Sequence, residues 1–303
     1  MRVEQTMDEH AAIFQRSRSR LYGIAYRMLG TRADAEDMLQ EAYLRWHGTD
    51  VAGIRTPEAW LTTTVTRLAI DRLRAARVER ETYHGPWLPE PLTGEPVATP
   101  EQAAELASDL STAFLLVLER LAPEERAAFL LHDVFDCEYR EVAVALGKNE
   151  ASCRQIVHRA RERVRRDRPR FQVSEPARRQ LLERFEAALR TADRKALVAL
   201  LAPDATWMAD GGGKVSAASK ALQGAEHIAK LMAGVGRHLA RKFPGRIRPH
   251  LMPINGETGL VLFIDGVASW ALTVETDGVR ILAGYVVLNP EKLARIVPPP
   301  RET

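Results

Sequence analysis

Cysteine is nearly missing from this chain: the 303 residues hold two, Cys137 and Cys153. That scarcity excludes a disulfide scaffold and a zinc cluster. Long apolar runs are missing as well. Stretches such as Ala113–Leu118 and Gly259–Ile264 are far too short to span a bilayer. No basic-then-apolar segment opens the sequence, so no secretory signal is expected, and the predicted location is cytoplasmic with no membrane contact. An excess of charge of one sign is also lacking. Lys plus Arg is 43 against 40 for Asp plus Glu, a net of +3, which excludes a simple basic nucleic-acid wrapper and an acidic-tail protein. There is no internal repeat and no long low-complexity tract. What remains is ordinary globular composition, 46% hydrophobic and 27% charged, enough to bury a core. The length predicts about two domains, or three small ones.

The near-balance of charge hides local bias. Residues 101–150 carry 4 basic and 11 acidic side chains, residues 151–170 carry 8 Arg and 2 acids, and residues 172–303 carry 18 basic and 13 acidic. The abrupt switch from acid to base inside one helical region is more informative than the total.

Prolines mark the first boundary. Pro86, Pro89, Pro91, Pro96 and Pro100, with Gly85 and Gly94, exclude a helix or central strand and predict an extended linker over 84–105. Before it the pattern is helical. Thr31–Asp34 resembles a capping box and opens a helix with Ala35, Met38, Leu39, Ala42 and Trp46 on one face. Thr56 and Pro57 start the next, which runs to about Arg80. After the linker, helices are predicted from Thr99 to about Leu121, from Pro123 through His132, over Tyr139–Leu146, and from Asn149 to about Arg168. From Ala205 the period changes. Asn255-Gly256, Asp265-Gly266 and Asp277-Gly278 sit between β-branched apolar runs and predict an antiparallel meander over 246–254, 258–264, 267–275 and 279–288. Helices near 176–190, 193–201 and 223–235 and a short strand near 205–209 precede it. Helices followed by a sheet argue for a separate α+β domain.

Tyr139–Arg168 reads as a helix-turn-helix, with its turn at Gly147-Lys148-Asn149. Cys153, Ile156, Val157, Ala160 and Val164 share one face of the second helix and are expected to bury against Val142 and Leu146. Ala151, Arg154, Gln155, His158, Arg159 and Glu162 then point outward. Arg and Gln can bond base edges in a major groove. The downstream Arg161, Arg163, Arg165, Arg166 and Arg168 are expected on the phosphate backbone.

Three motifs in this half, Leu121–Arg126, Tyr139–Ala143 and His158–Arg163, resemble region four of the extracytoplasmic-function sigma factors. Arg27–Gly30, Ala35–Trp46, Trp60-Leu61 and Asp71–Arg74 resemble region two of the same family. The resemblance implies a subunit that binds core RNA polymerase, through the β′ coiled coil and the β flap, and directs it to promoter DNA. Asp37, Gln40 and Glu41 match the patch that meets the β′ coiled coil. His47, Thr49, Asp50, Arg55, Arg67 and Arg74 match the segment that opens and reads the −10 element. Trp60 is read as core rather than as a stacking platform. Arg154, Gln155, His158 and Arg159 match the helix that reads the −35 element. A plain member of the family ends near residue 170. The remaining 130 or so residues resemble a SnoaL-like domain, in the α+β cone superfamily that includes ketosteroid isomerases. The subgroup with that tail carries Asp210–Lys214 and the linker Trp87–Leu92. The implied fold is two all-α sigma domains, a region-two helical bundle and a region-four helix-turn-helix, followed by an α+β SnoaL-like cone. The expected divisions are 1–83, 84–105, 106–170 and 174–297.

For the tail, three readings stand side by side. In the first it regulates in cis, with Trp87, Leu88 and Pro89 of the linker and Asp210, Gly211, Gly212, Gly213 and Lys214 as contact residues. In the second it is an enzyme, for which Asp210, Asp204 and His250 are the available groups, with no paired acid and base standing out. In the third it senses a small ligand in a C-terminal pocket lined by Trp207, Met208, Met232, Met252 and Trp270. The first is preferred, and neither a catalytic residue nor a metal or cofactor is expected. The competing reading of the whole chain is a free-standing helix-turn-helix regulator with a ligand-binding tail.

Overall fold

The computed structural model describes residues 2–50, 53–93, 110–167 and 173–299. The chain divides into two compact units, one formed by 1–81 with 115–168 and the other by 82–114 with 169–303. This grouping differs from the expected one. The linker is not a segment apart; its first half belongs with the C-terminal unit. The linker residues beyond Thr93 and the predicted start of a helix at Thr99 lie outside the described residues.

The first unit is helical. Helices α1 (Arg2–Leu29), α2 (Arg32–His47) and α3 (Pro57–Glu81) pack on one another. Thr31 caps α2 by accepting from the Asp34 amide at 3.2 Å. Ala35, Leu39, Ala42 and Trp46 line its buried face, while Met38 is half-buried. Trp46 is fully buried, and its indole N–H donates to the His10 carbonyl at 3.0 Å, so the large ring is buried without an orphaned donor. After α4 (Thr112–Glu119) comes α5 (Pro123–Phe129). The helix expected through His132 loosens at Leu130 into a π turn over Leu130–Val134, and Asp136 follows with a left-handed φ of 52°. Helices α6 (Tyr139–Leu146) and α7 (Glu150–Asp167) complete the unit.

The second unit is α+β. Helices α8 (Glu175–Arg190), α9 (Arg194–Leu200) and α10 (Ala225–Lys242) pack on a six-stranded sheet, and α11 (Pro290–Leu293) is a single turn. The strands are β1 (Leu201–Asp210), β2 (Leu222–Gln223), β3 (Ile247–Ile254), β4 (Glu257–Ile264), β5 (Val267–Thr276) and β6 (Ile281–Val287). Their order is β2-β1-β6-β5-β4-β3, with β1 parallel to β6 and the other pairs antiparallel. All three predicted hairpins are present. The β1–β6 pair was not predicted, because a parallel pair between distant segments leaves no local turn signal. Helix α10 runs seven residues past its expected end. The core joins Leu181, Phe185, Ile228, Met232, Leu260, Trp270 and Leu272. Trp207 of β1 lies opposite Gly284 of β6 and its ring covers that glycine, which leaves no room for a β-carbon there.

Candidate functional site

In the helix-turn-helix, Gly147 ends α6 with φ 63°, a conformation that suits glycine, and the Lys148 amide donates to Ala143 O at 3.0 Å. Two residues on, the Asn149 side chain accepts from the Ser152 amide at 2.8 Å and starts α7. Cys153, Ile156, Val157, Ala160 and Val164 are buried, which turns Arg154, Gln155, His158 and Arg159 into one exposed stripe. Arg154 bonds Glu150 at 2.8 Å and lies over the Tyr139 ring, an arrangement that steadies a long side chain at the surface. The downstream arginines differ from expectation. Arg161 makes a bidentate pair with Asp133 at 2.6 and 2.7 Å, and Arg163 bonds Glu125 at 2.6 Å. Both carry structural duties within the unit. Arg165 is exposed, and Arg168 lies outside the described residues.

On α2, Asp37 and Gln40 are exposed and Glu41 is half-buried, bonded to Arg45 at 2.9 Å. Leu44, one turn further along the same face, is 57% exposed. That face is therefore acidic and amidic with one exposed apolar side chain at its end. His47 and Asp50 are exposed at the end of α2; the Thr49 hydroxyl donates to Arg45 O at 2.6 Å. Arg55 is exposed just before α3, and Trp60 is half-buried, 5.4 Å from the Trp46 ring. Arg67 and Arg74 are not idle. Arg67 donates to Ala145 O at 3.0 Å and Val144 O at 2.6 Å, capping the C-terminal carbonyls of α6. Arg74 bonds Glu124 at 2.9 Å, and Lys148 shares that carboxylate at 3.1 Å. Deeper in the unit, Arg126 is only 3% exposed and donates to Met28 O and Glu119, which also pairs with Arg80.

The C-terminal unit gathers the linker around one carboxylate. Asp210, at the end of β1, has no exposed surface. Its side chain accepts from the Tyr83 hydroxyl at 2.7 Å, the Leu88 amide at 2.9 Å, the Gly212 amide at 3.0 Å and Lys292 Nζ at 2.7 Å. Four donors, one of them cationic, satisfy a carboxylate taken wholly out of water. Lys292 also donates to Leu88 O at 2.5 Å and stands 4.3 Å from the Trp87 ring centroid, so its own burial is compensated by a carbonyl and an aromatic face. Burial, reinforced by the bond to Asp210, pushes the Tyr83 phenol well above its ordinary range and keeps it a donor. Leu88, Pro89 and Pro91 are buried and Trp87 is half-buried. Gly212 and Gly213 adopt φ 61° and 70°; a β-carbon at Gly212 would collide with Asn289 and one at Gly213 would stand 3.3 Å from His84 Cβ. A second fastening lies at Asn255. Its amide donates to Leu92 O and its Oδ1 accepts from the Leu92 amide, both at 2.8 Å, while its Nδ2 donates to Thr112 Oγ1 at 3.1 Å.

The arrangement brings Trp87, Leu88, Asp210, Gly212 and Gly213 together. It does not pair Lys214 with Asp210, because Lys214 bonds Glu291 instead. Sequence reasoning missed Tyr83, Asn255, Asn289 and Lys292. Asn255 already had a local explanation as a hairpin turn residue, and Asn289 also caps α11, its Oδ1 accepting from the Glu291 amide at 3.1 Å.

The expected pocket lining is displaced. Trp207, Met232 and Trp270 belong to the packed core, and Met208 and Met252 are half-buried. A cavity of about 300 Å³ lies elsewhere, between α8, α10 and β3, lined by Leu189, Leu239, Phe243, Ile247 and Leu262 with Glu186 and Arg190 at its edge. Asp204, Asp210 and His250 do not line it. No group of three His, Cys, Asp or Glu among the described residues is placed to hold a metal, and no described helix is long and apolar enough to cross a membrane.

Residues 13–78 match the family model for sigma-70 region 2, and residues 111–164 match that for sigma-70 region 4. The chain is 39% identical over 289 residues to the ECF RNA polymerase sigma factor SigJ of Mycobacterium tuberculosis, covering 92% of this chain and 91% of that one. It is 27% identical, over 94% of this chain and 95% of the relative, to a probable ECF RNA polymerase sigma factor, SigI, of the same species. The crystal structure of M. tuberculosis SigJ superposes with a TM-score of 0.72 at 37% identity, covering 94% of this chain and 98% of that one.

Proposed function

The chain belongs to the extracytoplasmic-function RNA polymerase sigma factors, and from that premise we propose how its parts divide the work of directing core polymerase to a promoter. The α2 face of Asp37, Gln40 and Glu41, with Leu44 one turn further along, meets the polymerase β′ coiled coil. Acid and amide groups beside an exposed apolar side chain suit a basic partner surface. The β flap is the expected second polymerase contact. His47, Thr49, Asp50, Arg55, Arg67 and Arg74 work at the −10 element. Arg154, Gln155, His158 and Arg159 read the −35 element, where a stripe of Arg and Gln suits bidentate base contacts. The C-terminal unit is a regulatory body rather than an enzyme, and it acts through the linker. The −10 and −35 modules are thereby coupled to it in cis, where tethering makes modest contacts sufficient.

The observation that carries the regulatory part is the burial of Asp210 among donors from Tyr83, Leu88 and Lys292. A multi-round transcription assay with core polymerase and the full-length chain tests it. Asp210→Ala is expected to change promoter-directed output in the same direction as deletion of 172–303. Output indistinguishable from the unmodified chain, with the deletion still having its effect, sinks the role of the clasp.

A further inference from the structure

The outer face of α10 has no part in the reading above. The inner face, with Ile228, Ala229, Met232, Ala233 and Gly236, is buried in the C-terminal unit. Helical spacing therefore turns Lys230, Arg237 and Arg241 outward together with His227 and His238. All of these, and Lys242 beside them, are exposed. Between Glu226 and His250 the sequence has six Lys or Arg and a single acid. Glu226, the one acid of α10, is already engaged with Arg194. Lys230, Arg237, Arg241 and Lys242 have no carboxylate partner among the described residues.

Two bland accounts fall short. The helix dipole favours cations in the last turn, which covers Arg241 and Lys242 but does not reach Lys230 or Arg237. Simple solvation of a surface helix interleaves both signs, whereas this stripe carries one. From Lys230 to Arg241 the face runs about 16 Å along the helix axis, the rise of about five base pairs of duplex. Only residues 168–174 join α7 to α8. A chain of that length reaches at most about 25 Å, so a duplex engaged by α7 presents phosphate to this unit at high effective concentration.

We propose that the outer face of α10 is a second DNA surface, which grips the phosphate backbone of promoter duplex without reading its sequence. It lets the C-terminal unit add affinity for DNA where the chain as a whole has almost no net charge. The inference rests on the reading of the chain as a promoter-directing subunit.

The test uses holoenzyme reconstituted from the full chain and core polymerase. In the variant, Lys230, Arg237, Arg241 and Lys242 are each changed to Gln; a second variant carries Arg237→Lys and Arg241→Lys. Promoter binding is measured against salt. Loss of each phosphate contact removes about 0.9 from the slope of log K against log salt. The Gln variant is expected to flatten that slope by about two to four and to bind about tenfold or more weakly near 0.1 M salt, while the Lys variant keeps the original slope. A photo-crosslinker at His238 is expected to label promoter DNA. An unchanged slope in the Gln variant, or crosslinks to polymerase subunits alone, overturns the inference. Failure of the unmodified holoenzyme to initiate from its promoter overturns the underlying reading instead.

Discussion

Each unit holds a deeply buried ion pair, Arg126 with Glu119 in the helical unit and Asp210 with Lys292 in the C-terminal unit, and the exposed pairs of the helical unit contrast with the second of these. In the helical unit several ion pairs join partly exposed side chains of different elements: Arg74 with Glu124, Lys148 with the same carboxylate, Arg161 with Asp133 and Arg163 with Glu125. Each is worth about 1 kcal/mol or less, and water can replace either partner at little cost. In the C-terminal unit the central pair, Asp210 with Lys292, is 0% and 9% exposed. Water cannot replace a partner there, so breaking such a pair costs about 3–5 kcal/mol. The contrast assigns the two kinds of contact different lives. The pair that occupies Arg74 is exchangeable and Arg67 donates only to two backbone carbonyls, whereas the buried hold on the linker is closed to water.

The largest expected effect comes from Asp210→Ala. It strands the Lys292 ammonium, the Tyr83 hydroxyl and the Leu88 amide, so chemical denaturation should register a loss of about 3–5 kcal/mol, and residues 83–92 should become sensitive to protease. A loss below about 1 kcal/mol with the linker still protected would erase the contrast.

Next comes a pH effect confined to the C-terminal unit. Burial pushes Glu257 up to about 7 from an ordinary 4.5, against the pull of Arg178 and with the push of Glu175 and Glu275. Between those two values the folded unit keeps a proton that the unfolded chain has released. Its stability therefore falls as pH rises from about 4.5 to about 7 and levels off above, by up to about 3 kcal/mol. Thermal unfolding across that range should show the slope, and Glu257→Gln should flatten it. A steeper slope in the Gln variant than in the parent would contradict this.

Smaller again is Arg154→Ala. If the α7 stripe reads bases, discrimination between matched and scrambled −35 elements should drop by about 1–3 kcal/mol. Anisotropy titrations of holoenzyme on both sequences measure it. Equal weakening on the two would reduce Arg154 to a phosphate contact. The smallest effect belongs to Arg74→Ala, about 1 kcal/mol or less on the stability of the helical unit, with opening of the −10 region, read by permanganate reactivity, reduced more than stability. A stability loss approaching that of Asp210→Ala would show that the exposed pairs are not exchangeable.

Much of this architecture was legible where the signal is local. Asn-Gly and Asp-Gly turns located three hairpins because few other residues adopt the backbone these turns need, and Asn255 and Asp265 indeed have φ of 50° and 53°. Buried spacing in α7 separated its exposed stripe from its core. Legibility failed where one residue serves two distant ends. Lys214 and Asp210 stand together among the expected contact residues, but the cation that pairs with Asp210 is Lys292, 82 residues on. Arg161 and Arg163 looked free because their partners, Asp133 and Glu125, lie 28 and 38 residues back on other helices. Spacing along one helix shows which way a side chain points, not what waits there.

Asn255 has a consequence for connectivity. The one residue holds Leu92 through its backbone and Oδ1 and holds Thr112 through its Nδ2. The chain that leaves α3 and the chain that enters α4 are thus fastened to the same hairpin. Both ends of the segment between them are therefore fixed points on a folded body, not the free ends of a string whose reach would follow polymer statistics.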